Sequence, residues 1–72
     1  MHLIGLLILR NNYNLAAKLL INMKNDNTFK KENLLIFAKI AIESDSYDIL
    51  ALLKKLFPLE YVANEKIILI LV

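Results

Sequence analysis

Residues 13–24 read YNLAAKLLINMK, and whether they form a helix or a strand decides the fold. Tyr13, Ala16, Ala17, Leu20 and Met23 recur at helical spacing, so a helix gathers them on one face and leaves Asn14, Lys18 and Asn22 away from it. A strand would alternate instead, and strands rarely run so long. Asn12 precedes the segment as an N-cap, where its side chain can accept from the free amides of a first turn. The segment is read as a helix.

The punctuation on either side extends that reading to the whole chain. RNN at 10–12, NDNT at 25–28, SDS at 44–46 and PLEYVAN at 58–64 break it into segments of helical length. A first helix is expected over 2–9, a second over 13–24, and a third over 29–43 behind Thr28 as cap. The third is apolar nearly all round, from Leu34 through Phe37 to Ile42 with Lys39 as the main relief, so other elements must cover it on several sides. The fourth is expected over 47–57, capped by Asp45 or Ser46, with Asp48 in the first turn where the helix dipole favours an acid. Pro58 ends it, because proline cannot continue the hydrogen-bond ladder. A fifth begins after Asn64 and runs to Val72. Isoleucine-rich LLIFAKIAI and KIILILV also suit strands; length decides for helix in the former, while the last eight residues read either way.

The breaks repeat. Tyr13 and Tyr47 stand 34 positions apart and each opens a helix after a three-residue polar turn. At the same offset Ile8 pairs with Ile42, Ala17 with Ala51, Leu19 with Leu53 and Met23 with Phe57, while RNN falls on SDS. A small Ala17 or Ala51 midway along a second helix lets its partner approach to the ~8–10 Å of close packing. The expected architecture is an all-α solenoid of antiparallel helical hairpins, with units at about 1–28 and 29–62 and the start of a third at 63–72. MHLIGLLIL at the N-terminus then takes the place of a first helix, and Gly5 within it weakens the helix by about 1 kcal/mol while permitting close packing.

Residues 11–24, NNYNLAAKLLINMK, resemble the second helix of a pentatricopeptide repeat, with Ala16, Leu19, Leu20, Met23 and Lys24 in the family's places. The next unit, SDSYDILALLKKLF, matches less well, with Leu50 where Ala16 stands. The 34-residue period is similar to that of tetratricopeptide repeats without their Trp-Leu-Gly signature. IAIESDSYDILALLKKL resembles an ankyrin core without its Thr-Pro-Leu-His opening. The pentatricopeptide resemblance implies RNA as a partner, with Asn33 near a first-helix start and Asn25 or Asp26 in the inter-repeat loop as the nearest base-reading positions. Lys18, Lys24, Lys54 and Lys55 are the candidate phosphate contacts, since neutralised phosphates release counterions and supply affinity. Lys54 and Lys55 also complement the dipole at a helix C-terminus, and Tyr13 and Tyr47 are expected to pack at hairpin corners rather than stack on bases.

Composition bounds the rest. Seventy-two residues make one small domain, and with no cysteine there is neither a disulfide framework nor a thiolate metal site. At 58% hydrophobic the chain exceeds the roughly 45–50% of ordinary soluble domains, which is more apolar surface than an isolated monomer hides. A net charge of +2 is weak for a dedicated nucleic-acid binder. No uncharged run approaches the ~20 residues of a spanning helix, and the charge at Arg10 follows the first apolar run where an export signal would have it precede. A membrane role is therefore not expected. The expected place is inside the cell, in the cytoplasm or in an organelle such as the mitochondrion.

Catalysis finds little to work with. His2 is the sole histidine, one glycine cannot make a phosphate loop, and Ser44 and Ser46 sit where a cap explains them. No enzyme activity, cofactor, metal or small-molecule substrate is expected. The expected partners are other protein chains of a larger assembly, a ribonucleoprotein among the settings. They would meet the apolar ends at Leu3, Leu6 and Leu7 and at Ile68, Ile70 and Leu71.

Overall fold

The computed structural model describes residues 3–71, so His2 and Val72 lie outside the described residues. Within them the secondary structure is helical: α1 (Leu3–Leu9), α2 (Tyr13–Asn25), α3 (Lys31–Glu43), α4 (Tyr47–Leu56), α5 (Pro58–Ala63) and α6 (Glu65–Leu71). The last eight residues, open between helix and strand on sequence, are helical as far as Leu71.

Each helix buries the face that its periodicity marks. Ile4 and Ile8 of α1, Ala16 and Leu20 of α2, and Ile49 and Leu53 of α4 are buried pairs at i, i+4. α3 contributes Leu34, Phe37, Ala38 and Ala41, the wide stripe of a helix with neighbours on several sides. Those neighbours are α1, α4, α5 and α6. α1 also packs on α2, and α2 on α4, so α1 and α3 lie side by side and α2 and α4 lie side by side. The alanines that allow this approach are Ala16, Ala38 and Ala41, all fully buried. Ala17 is half-buried and Ala51 exposed, because the helix phase buries Ala16 and Leu20 in α2 and Ile49 and Leu53 in α4.

Three reversals share one geometry. Asn11, Asn27 and Asp45 are left-handed, with φ of 57°, 55° and 57°, at positions usually held by glycine. Around each, the following amide bonds five residues back: Asn12 N–H to Leu7 O, Thr28 N–H to Met23 O and Ser46 N–H to Ala41 O. The left-handed residue itself bonds three back, to Ile8, Lys24 and Ile42. These are Schellman closures, which satisfy the last carbonyls of α1, α2 and α3. Asparagine and aspartate reach this region because their short polar side chains tolerate it. Asn27→Val is expected to lose about 1–2 kcal/mol, the left-handed cost for a residue with a full Cβ, while Asn27→Gly loses nothing; urea midpoints of the two variants measure this.

Two expected boundaries move. α3 begins at Lys31 rather than Phe29, and Thr28 closes α2 instead of capping α3. At the new boundary Asn33 Oδ1 accepts the backbone N–H of Lys30, the N-cap, and just before it the Phe29 ring stacks on Phe57 with centroids 3.7 Å apart and planes 7° from parallel. The second change is at 58–64, expected as a turn. Pro58 does end α4, but it also opens α5 at the first helical position, where its missing N–H costs nothing. Asn64 then joins α5 to α6, donating from its side-chain amide to Glu60 O at 3.0 Å and to Lys31 O at 3.1 Å.

The expected caps are present as positions without their side-chain bonds. Asn12 and Ser46 both precede helices, yet neither side chain caps its own. Ser46 instead reaches across to the first turn, donating to Asn11 Oδ1 at 2.6 Å, with Ile8 O at 3.3 Å. Ser44 Oγ lies 3.0 Å from it and 2.8 Å from Ile40 O. The turn at 44–46 is thus tied to the turn at 10–12.

Candidate functional site

The chain exposes 4770 Å² of surface, close to the ~4600 Å² of an ordinary folded monomer of its mass. Its surplus apolarity therefore lies in what that surface is made of. Two regions hold much of it.

At the N-terminal end Leu3 is 61% exposed, while Leu6 is half-buried and Leu7, also half-buried, packs against the core. Leu3 and Ile4 face Leu19 and Met23 across a shallow depression of about 270 Å³ between α1 and α2, with Asn22 and Asp26 at its edge. Of the three leucines expected to meet a partner here, Leu3 is the most available.

At the C-terminal end the sequence run IILIL carries no polar residue to show which side faces inward. The structure resolves it. Ile68 is 1% exposed and belongs to the chain's own core, so it is removed from the residues expected to meet a partner. α6 packs on α3 and α5, which turns Ile68 inward and leaves Ile70 83% exposed. Ile67, Leu69 and Leu71 are exposed with it, as are Leu59 (81%) and Val62 of α5. Leu59 and Val62 escaped sequence reading because 58–64 was expected to be a turn. The available signal was a proline followed by five residues with no further breaker before Asn64.

The polar candidates are dispersed, and some are engaged. Lys18, Lys24, Lys54 and Lys55 are exposed, the first two on α2 and the others on its neighbour α4. Lys54 Nζ lies 5.6 Å from the centre of the Tyr61 ring, within the range of a cation–π contact. Asn25 is exposed at the last residue of α2. Asn33 is half-buried, and its Oδ1 accepts the Lys30 backbone N–H at 3.0 Å, so the side chain caps α3 rather than projecting as a free reader. Asp48 takes the Ile49 N–H at 2.9 Å in the first turn of α4. Tyr13 and Tyr47, expected to pack at the corners, are instead exposed.

A cleft of about 350 Å³ lies between the end of α2 and the α4–α5 joint, floored by Phe29 and Phe57 with Met23, Lys24 and Glu60 around it. Its charged groups, one lysine and one glutamate, are of opposite sign. Among the described residues no three His, Asp or Glu side chains gather where they could hold a metal. The buried hydroxyl of Ser46 is consumed by the turn-to-turn bridge. No helix among the described residues is long and apolar enough to cross a membrane.

No protein-family model matches the chain, no curated protein matches it, and no solved structure matches its fold.

Proposed function

We propose that the chain is a non-catalytic helical-repeat subunit that docks through its apolar ends inside a larger protein or ribonucleoprotein assembly. The observation that carries this reading is the exposed aliphatic surface of α5 and α6, where Leu59 and Ile70 are each more than four-fifths exposed. Such a surface marks interaction sites, because covering it with protein releases the water it orders.

The repeat part of the reading draws on the two matched turns. Asn11 and Asp45 are 34 positions apart, share a left-handed backbone and close with the same pair of hydrogen bonds. The contacts of α1 with α3 and of α2 with α4 support a reading of two stacked hairpins, and the contact of α6 with α3 supports reading α6 as a further first helix. In a repeat architecture each unit buries its face against the next, so end units are left with faces to cover.

The resemblance to pentatricopeptide repeats supplies the alternative of an RNA contact through Lys18, Lys24, Lys54 and Lys55. One experiment separates the two. The chain is tagged, isolated gently from its own cells and sized before and after ribonuclease. Elution in a stoichiometric protein complex that survives ribonuclease supports docking, whereas collapse on ribonuclease transfers the reading to RNA. Elution as a free 8.3 kDa chain with a sharp cooperative melt removes both.

A further inference from the structure

We infer that Met23 is a modification site, a thioether whose oxidation to the sulfoxide loosens the end of α2 from the core. The chain has no cysteine, so its two methionines hold all of its sulfur, and Met1 lies outside the described residues. Met23 stands in the last turn of α2, half-buried and packed against the buried cluster.

Its position makes it both reachable and consequential. Met23 is shared by the two depressions of the surface, the one of about 270 Å³ against Leu3, Ile4 and Leu19 and the cleft of about 350 Å³ floored by Phe29 and Phe57. The side chain therefore meets solvent through two openings while resting on the core. Either opening admits a peroxide, a molecule little larger than water, whose share of liquid volume is about 30 Å³. The backbone of the same residue closes the helix, since Met23 O accepts the Thr28 N–H at 3.1 Å and lies 3.4 Å from Thr28 Oγ1. A displacement of Met23 thus acts on the turn as well as on the packing.

Hydrogen peroxide is the oxidant. The thioether lone pair attacks one peroxide oxygen, and the O–O bond breaks as the S–O bond forms. The departing hydroxide takes up the proton on the transferred oxygen and leaves as water. Sulfur loses two electrons and the peroxide gains them. The product replaces a flexible apolar side chain with a polar one. Its oxygen finds no donor side chain among Leu3, Ile4, Leu19 and the two phenyl rings, whereas Asn22, Lys24 and Asn27 at the same depressions are exposed. The sulfoxide is satisfied by turning outward to them or to water, and its cover of the core is lost. Enzymatic reduction returns the thioether, so the change is reversible.

Peroxide treatment of the 72-residue chain, read by peptide mass spectrometry and thermal unfolding, tests this. Met23 should gain one oxygen, and the unfolding midpoint should fall by about 4–8 °C, the shift that one modest lost contact produces in a domain of this size. Methionine sulfoxide reductases, one for each epimer, should restore the midpoint. Met23→Leu, a swap of similar volume, should keep its midpoint through the same treatment while Met1 is oxidised. The proposal is overturned by a Met23 that stays reduced when Met1 is oxidised, or by an oxidised Met23 with an unchanged midpoint. An equal fall in Met23→Leu, or a midpoint that stays low once Met23 is reduced again, overturns it as well.

Discussion

Phe37→Ala is expected to unfold the chain at room temperature. Phe37 is 1% exposed on α3, the helix that touches four others, and its ring lies 6.0 Å from that of Phe29. Emptying a site of that size costs about 3–5 kcal/mol, the lost transfer energy plus the cavity left behind. A single core in a chain this short seldom supplies more than about 3–5 kcal/mol in total. The loss therefore matches the whole stability, and far-UV circular dichroism should show helix lost without denaturant. Ile36→Ala, one position away and exposed, should change stability by no more than about 0.5 kcal/mol. Equal effects at the two positions would mean that α3 is not phased as described.

Ile68→Asp is expected to release α6. The residue is the one position in α6 that is buried, and it belongs to the cluster of buried apolar side chains, so an aspartate there would place a carboxylate in the core. Removing the aliphatic group alone costs about 2–5 kcal/mol, and burying an unpaired charge adds to it. The chain has a cheaper response. α6 can detach and fray, which limits the loss to the free energy of docking that one helix. Hydrogen exchange separates the outcomes: protection should vanish from the amides of α6 while α1 to α4 keep most of theirs. Uniform loss across all helices would show that α6 is integral to a single cooperative unit, and retained protection in α6 would remove Ile68 from the core.

The residues behind these predictions differ in how plainly the sequence showed them. The face of α2 was legible because polar residues, Asn14 and Lys18, mark its outer side. The all-round apolarity of α3 correctly foretold a helix with several neighbours. α6 was not legible in the same way, since five aliphatic residues in succession have no polar member to fix the phase, and Ile68 could be told from Ile70 only once α3 and α5 were in place. α5 was hidden by a local rule: proline ends helices and also begins them, and only the spacing to Asn64 distinguishes the cases. The stack of Phe29 on Phe57 joins positions 28 apart in sequence, which no window around Thr28 contains. Asn33 illustrates the limit on the functional side. Its type and place suit a base reader, yet the nearest amide has claimed its carbonyl oxygen.

The reversals at Asn11, Asn27 and Asp45 have a bearing on the denatured chain as well as the native one. Glycine would make each corner easier to turn, but it would also give the unfolded backbone more states to forfeit on folding. With a side chain at every corner, the disordered ensemble is the narrower of the two, and part of what favours the native form is accounted for before any helix has met another. The one glycine, Gly5, sits buried inside α1 instead, so the conformational penalty that the corners avoid falls on the first helix.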